Sequence, residues 1–559
     1  MRRLLLAATV TVLLAVAAGA DAATPIMPLS EVQPGMHCTG LTVVKGTTIS
    51  SFDVEVVDVV AGDPVSADPL LLIRVSGPVV AASGIAEGYS GSPVICDGRI
   101  AGAVAYGSGD YGNLLGFATP IEEMLGEPVP TPAGTRVDPR VRHAVALRTP
   151  IAVSGVSGPV FAPFARAAAK AGVDLVAVPT APAVDRFPAQ TLVPGSSMAV
   201  GLSTGAISSG AVGTVTDVDG DRVYGFGHPF DGTGVRSLLL QDAYVYDVIA
   251  NPVGIQDAVS TKIAAPGHAL GALTFDGRDG VAGVLGTLPP TVPVTQRTTN
   301  AQTGVTRTDS AAVADETAIG LPDGTSPLTT IAPMLNAQAA YTALGSSPVL
   351  QSARMCVRIH LAELKEPTGF CNRYVGAYGG AQGNGGPYTS DLVTALADLD
   401  AFSYGQPHVT GVDVQLSVEP GLEQALLRSI SGPRVLHRGQ STTLRLHLQR
   451  YRGARFTRAV KLSVPRRASL GARSLRVTGT GLDGQVRTDE LQIVVGGEQP
   501  DDGGDSGPKT FAALADQIAA THGYDGTHVA FGRGASRRLY RDPRYRISGN
   551  ASLAVRIVR

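Results

Sequence analysis

Along most of this chain, apolar and polar positions alternate with the period of two that marks a half-buried strand. Phe52, Val54 and Val56 alternate with Asp53 and Glu55, and Leu70 to Val75 forms a further run. Val94–Cys96 and Ile100–Tyr106 flank Asp97-Gly98, a pair that favours a two-residue hairpin turn. Val212–Val218 and Arg222–Phe226 flank Asp219-Gly220 in the same way. The alternation becomes strict at Val412, Val414, Leu416 and Val418, then at Leu444, Leu446 and Leu448, then at Val460, Leu462 and Val464. With turns between them, these runs predict a β-sandwich of immunoglobulin type over 406–498.

Helical signals are sparse. Thr119-Pro120-Ile121-Glu122 reads as a cap, a first-turn proline and a glutamate reaching back. Residues 158–171 have helical composition with Ser157 as the entry cap, and a strand follows over 173–178. A short helix is expected over 391–399. Another is expected where Phe511, Leu514, Ala515 and Ile518 share one face behind the cap Thr510. The polar, Thr-rich stretch 299–320 reads as a long excursion, 376–386 as a glycine-rich connector, and 552–558 as a terminal strand.

Composition sharpens this picture. The chain has 559 residues, enough for several domains, and its 68 glycines and 38 prolines favour turns and short strands over long helices. A net charge of −2 gives no reason to expect nucleic acid as a partner. Arg2-Arg3, the uncharged run Leu4 to Ala18 and Ala20-Asp21-Ala22 form the three parts of a cleaved export signal over 1–22. No other stretch is long and apolar enough to span a bilayer, so a secreted or extracytoplasmic location in a bacterial envelope is expected. In that compartment an even cysteine count reads as disulfides. Local pairing gives Cys38–Cys96 and Cys356–Cys371, one of three connectivities that four cysteines allow.

Two short stretches carry chemistry. In Gly88-Tyr89-Ser90-Gly91-Ser92-Pro93 a serine sits between glycines before an apolar strand. Gly88 permits a tight turn in which its own amide and that of Ser90 face one oxyanion. Gly155-Val156-Ser157-Gly158-Pro159 has a similar look but is explained by the helix it opens. The second stretch is Gly227-His228-Pro229-Phe230, directly after a strand, where a general base would be held in place. Asp217, Asp219 and Asp221 begin like a calcium loop, yet arginine and histidine occupy positions that need glycine and glutamate. A hairpin turn accounts for them, and neither a metal nor an organic cofactor is expected.

Gly84-Ile85 through Gly88-Tyr89-Ser90-Gly91-Ser92-Pro93, with Asp97-Gly98-Arg99-Ile100-Ala101-Gly102 after it, resembles the nucleophile segment of the SpoIVB-type serine peptidases. That family is assigned to the chymotrypsin-like class. Gly213-Thr214-Val215 through Gly225-Phe226-Gly227-His228 resembles its histidine segment. The resemblance implies Ser90 as nucleophile, His228 as general base, and the amides of Gly88 and Ser90 as oxyanion hole. Here the histidine follows the serine, the reverse of the family's order. Gly77 stands where the family carries its aspartate, which leaves Asp231 or a backbone carbonyl to orient the imidazole.

The fold expected is therefore mainly β: two chymotrypsin-like β-barrel units and then the sandwich, with few short helices. The serine-bearing barrel half spans 25–135, a connector with helix and strand 136–190, and the histidine-bearing half 191–300. A β-rich extension with the glycine-rich connector covers 301–405, and an acidic-glycine linker, short helix and strand close the chain over 499–559. The activity expected is that of an exported serine endopeptidase acting on protein substrates, itself among them, by acyl transfer. The competing reading is a catalytically inactive peptidase-like scaffold that binds a cell-envelope component through the arginine-rich sandwich. A carbohydrate-active enzyme finds little support, since no carboxylate pair stands out.

Overall fold

The computed structural model describes residues 24–61, 68–108, 112–127, 129–130, 135, 140, 145–147, 150–170, 172–178, 183–251, 259–319, 327–345, 350–377, 387–480, 507–521, 526–532 and 534–559. The export signal expected over 1–22, most of the 376–386 connector and most of the acidic-glycine linker lie outside these residues. Strand accounts for 53% of the chain and helix for 14%, so the mainly β expectation holds.

The first unit is a closed barrel. Its strands are β1 (His37–Lys45), β2 (Thr48–Val60), β3 (Leu70–Ser76), β4 (Pro93–Cys96), β5 (Arg99–Gly107) and β6 (Leu115–Pro120). They run in the order β4-β1-β2-β3-β6-β5, and pairing of β4 with β5 closes the ring. Asp97 and Gly98 both take positive φ in the β4–β5 turn, as the Asp-Gly pair requires. Phe52, Val54, Leu71, Ile73, Val94 and Val104 fill the interior.

Cys38 and Cys96 form a disulfide between the neighbouring strands β1 and β4. The bridge spans 58 residues of sequence. Loop-closure entropy for a bridge of that span gives about 4 kcal/mol of stabilisation. Cys356 and Cys371 also form a disulfide, but they already face each other across a hairpin, with a separation of 15. Serine replacement of the first pair is accordingly expected to lower the urea midpoint more than replacement of the second. An equal or smaller loss for the first pair would contradict the loop-entropy argument.

After α1 (Ile121–Met124), β7 (Val145–Ala146) extends the first sheet at β5. Then β8 (Ile151–Ser154), α2 (Gly158–Lys170) and β9 (Leu175–Ala177) form a β-α-β unit with parallel strands. A second set follows: β10 (Ser197–Gly205), β11 (Ser208–Asp219), β12 (Arg222–Gly225), β13 (Gly234–Ile249), β14 (Thr261–Gly277) and β15 (Gly280–Leu285). These pair as β10-β13-β14-β15-β12-β11, and a β10–β11 pairing completes a second circuit of six strands. Val43 and Ile49 of the first unit pack with Ala199, Val212, Val245 and Ala264 of the second, so an apolar seam joins the two.

Beyond β10 the sheet continues. The stretch read as a polar excursion over 299–320 is largely strand: β16 (Thr291–Asn300) and β17 (Thr306–Ala314) form a hairpin. Threonine suits a pleated, half-exposed surface, and this property outweighs the polarity of the stretch. Helix α3 (Leu328–Leu344) follows and packs with α2 against this sheet. Next come β18 (Leu350–Leu361), β19 (Thr368–Ala377), α4 (Pro387–Asp400) and β20 (Val409–Pro420). The alternation at Val412 to Val418 assigns β20 to the sandwich, yet it lies parallel to β16 and antiparallel to β18.

The sandwich therefore begins later and draws on the end of the chain. Its first sheet contains β21 (Gln424–Ser431), β23 (Ser441–Arg450), β24 (Arg455–Ser463) and β28 (Arg546–Ser548). The second contains β22 (Val435–His437), β25 (Gly471–Gly479), β26 (Gly526–Phe531), β27 (Arg537–Arg541) and β29 (Asn550–Val558). One apolar core, with Leu446, Leu462, Val477 and Ile557 in it, lies between them. Helix α5 (Phe511–Ala519), capped by Thr510, packs Leu514 and Ile518 on the helical layer over β16–β20. Among the described residues no helix is long and apolar enough to cross a membrane.

Candidate active site

Ser90 lies in the loop between β3 and β4. Gly88 and Gly91 on either side take φ of +85° and +88°, a region that a side chain at Cβ would penalise. Gly91 is also confined sterically. A Cβ there would sit 2.0 Å from the Thr214 carbonyl oxygen and 2.5 Å from the Phe226 amide nitrogen. The serine loop therefore rests directly on the second six-strand circuit. The Thr214 amide donates to the Ser90 carbonyl (2.8 Å), Thr216 Oγ1 to the Gly91 carbonyl (2.8 Å), and Thr214 Oγ1 to the Gly88 carbonyl (3.2 Å).

The amides of Gly88 and Ser90 form no hydrogen bond with a described residue. Their directions are nonetheless fixed, because N–H and C=O point oppositely across a planar trans peptide. The Glu87 carbonyl accepts from the Lys262 amide (2.9 Å), which sets the Gly88 N–H. The Tyr89 carbonyl accepts from the Ser92 amide (2.9 Å), which sets the Ser90 N–H. One of the two candidate oxyanion donors is thus aimed by β14 of the second circuit.

His228 follows β12 through two residues with positive φ, Phe226 (+70°) and Gly227 (+71°). For a bulky residue such as Phe226 this conformation costs on the order of 1–3 kcal/mol. The fully buried Phe226 ring, packed over Gly213, supports it. Thr119 Oγ1 donates to the Gly227 carbonyl (2.6 Å). That threonine was expected to cap α1, but Pro120 holds the cap position with no side-chain bond, and Thr119 instead ties the first barrel to the histidine loop.

His228 Nδ1 lies 2.7 Å from the Pro229 carbonyl oxygen. A carbonyl only accepts, so Nδ1 carries the proton and Nε2 keeps its lone pair, the tautomer that a base acting through Nε2 needs. Burial drives the imidazole pKa below its ordinary value, against the Pro229 carbonyl, the Asp276 charge and the Leu147 backbone, which favour the proton. Ser90 Oγ and His228 Nε2 are both buried without a hydrogen-bond partner, so the two are not bonded to each other in this state.

The acid nearest this loop in effect is Asp276, which the sequence reading missed. Fully buried at the end of β14, it accepts the amides of Phe230 (2.8 Å), Asp231 (2.7 Å) and Gly232 (2.9 Å). Asp231, considered for orienting the imidazole, directs its carboxylate to Arg236 at 2.6 Å. Arg236 is held in turn by both oxygens of Glu316 at 2.8 Å. At Gly77, the Asp53 carboxylate of the neighbouring strand lies 3.2 Å from where a Cβ would stand. Asp276 and Asp231 lie about 45 residues apart in sequence, so no local motif could have revealed their link.

Lys262 completes the site. Its side chain is buried under the serine loop, with Nζ 3.1 Å from Thr42 Oγ1, 3.5 Å from Thr214 Oγ1 and 5.2 Å above the Tyr89 ring. No carboxylate among the described residues pairs with it, and burial lowers its pKa to about 7. Elsewhere, Ser157 opens α2 through its backbone carbonyl, which accepts the Val160 and Phe161 amides, while its hydroxyl donates to Gln338 (2.7 Å) instead of capping the helix as the sequence suggests. Asp68, Glu123 and Asp279 bring carboxylates within 4.8 Å of one another, but Arg278 pairs with Asp68 and supplies the opposing charge.

No curated protein and no solved structure matches the chain. A family model does. The match covers residues 16–125, about one fifth of the chain; it includes Ser90 and the closed barrel and ends before His228. That part of the chain is a SpoIVB peptidase S55 domain, the domain of a family of serine peptidases.

Proposed function

We propose that the protein is an exported serine endopeptidase in which two six-strand barrels of chymotrypsin-like type share one site. Ser90 Oγ attacks the scissile carbonyl, and His228 Nε2 takes the hydroxyl proton and returns it to the leaving amine. The Gly88 and Ser90 amides stabilise the oxyanion, and the Pro229 carbonyl replaces a triad carboxylate in holding the imidazole tautomer. Asp276 positions the loop that carries it. Catalysis needs Ser90 and His228 to come within hydrogen-bond reach, and the fully buried serine needs the seam to open for a peptide. The observation that carries this reading is the S55 match on the serine loop, together with the packing of that loop on the strand-and-turn that delivers His228.

The sealed, unbonded serine favours a second reading, an inactive scaffold of the envelope. A fluorophosphonate probe separates the two. Labelling of the mature protein that disappears in Ser90→Ala and falls sharply in His228→Ala supports the peptidase. Labelling that is absent, or unchanged in Ser90→Ala, supports the scaffold.

A further inference from the structure

Charge is distributed unevenly in this chain. Residues 424–482 contain twelve arginines and one lysine, with no aspartate or glutamate. The other positions hold 32 basic residues against 47 acidic ones, so the near-neutral total conceals a cationic sandwich on an acidic body. Four of these thirteen cations share one face. In β23 and β24 the inward positions are Leu444, Leu446, Leu448, Val460 and Leu462, which leaves Arg445, His447, Arg455, Thr457 and Lys461 pointing outward. Arg428 on the neighbouring β21 is also exposed.

The centre of this face has defined structure. His447 Nε2 lies 2.8 Å from Ser431 Oγ and its Nδ1 lies 3.2 Å from Thr457 Oγ1, which forms a polar bridge across three strands. An open hollow of about 540 Å³ covers it, with Arg428 and Arg455 on its walls. Arg458 and Arg544 neutralise Asp542 and Glu423 away from this face, while Arg428, Arg445, Arg455 and Lys461 have no carboxylate partner among the described residues.

We infer that the outer face of β21-β23-β24 binds a linear anionic polysaccharide or polyol that carries phosphate or carboxylate groups. Cations spaced along neighbouring strands match a repeating oxyanion, and the interleaved Ser431, Thr457 and Gln449 can hydrogen-bond hydroxyl groups. Phe456 and Leu448 also line the hollow, but both belong to the core-facing side of their strands. One partly buried ring offers no platform on which successive bases could stack, and the face presents no large apolar group to enter a membrane. The surface would hold the chain at an anionic matrix independently of catalysis.

The test is equilibrium binding of the full-length mature protein to purified poly(glycerol phosphate) over a range of salt concentrations. A neutral dextran and a DNA duplex serve as comparison ligands. The variant combines Arg445→Ser, Arg455→Ser and Lys461→Ser, all at exposed positions that leave the core intact. The wild type is expected to bind the polymer and not the dextran, and the variant to bind at least tenfold more weakly. The slope of log affinity on log salt is expected to fall by about 2, given ~0.7 for each lost contact to a flexible polyanion. An unchanged melting curve assigns the loss to the surface. The inference is overturned if the polymer does not bind, if the variant binds equally well, or if the duplex binds more tightly than the polymer at equal salt.

Discussion

His228→Ala is expected to lower kcat by about 10⁶ against any peptide that the wild type cleaves, the scale seen when a serine peptidase loses its catalytic histidine. The imidazole is the one buried group on the loop that can take a proton at neutral pH, and its Nδ1 is committed to the Pro229 carbonyl. The pH profile should carry its signature. Because burial lowers its pKa, the base stays neutral to more acidic pH than a free histidine, and kcat/KM should rise through an apparent pKa below 6.5. Stability has a matching sign: as pH falls below 6.5 the unfolded chain takes up a proton that the folded chain resists, so the fold weakens toward acid. Full activity in His228→Ala, or a rate that rises only above pH 7, would remove His228 from the mechanism.

Lys262→Met is expected to stabilise the protein at pH 7. A folded-state pKa of about 7 against an ordinary 10.5 corresponds to a penalty of about 5 kcal/mol while the lysine is protonated in the unfolded chain and buried in the folded one. The sign follows from proton counts. Between about pH 7 and 10.5 the unfolded chain binds the proton and the folded chain does not, so wild-type stability rises with pH across that window. Below pH 7 both states bind it and the penalty is present in full. The amine lies against Thr42, Thr214 and the Tyr89 ring, none of which supplies a negative charge at neutral pH. Glu87 lines the same small cavity, but its carboxylate accepts from Thr261 Oγ1, and burial is what lowers the lysine pKa. Methionine keeps the buried stem and removes the amine. Urea midpoints should therefore be higher in the variant at pH 7 and converge with the wild type toward pH 10. A gap that does not change with pH would show that the amine does not titrate in the folded protein.

The parts of the site that sequence made visible are those encoded by neighbours in the chain. Asp97-Gly98 and Asp219-Gly220 declare their hairpins, and glycines around Ser90 and before His228 mark backbone that must take positive φ. The alternation of β23 and β24 reads directly as a sheet with one buried face. Distant pairings left no such trace. The pattern in β20 shows that it is a strand but not that it lies beside β16. Helix α3 is buried around most of its circumference, from Leu328 and Ile331 to Asn336 and Ala340, so it lacks the polar stripe by which a helix is recognised. Asp276, Thr119 and Lys262 act on loops tens of residues or more away, through hydrogen bonds that no local motif records.

On the mechanism proposed above, the bond from the Lys262 amide to the Glu87 carbonyl also governs when the serine can become reactive. In synthesis from the N-terminus, the six strands of the first barrel precede both the His228 loop and β14. Until those are made, the Gly88 amide has nothing to aim it, and the loop bearing His228 is not yet folded against Thr119. On that mechanism, placing serine before histidine makes the reactivity of Ser90 depend on the folding of the second circuit.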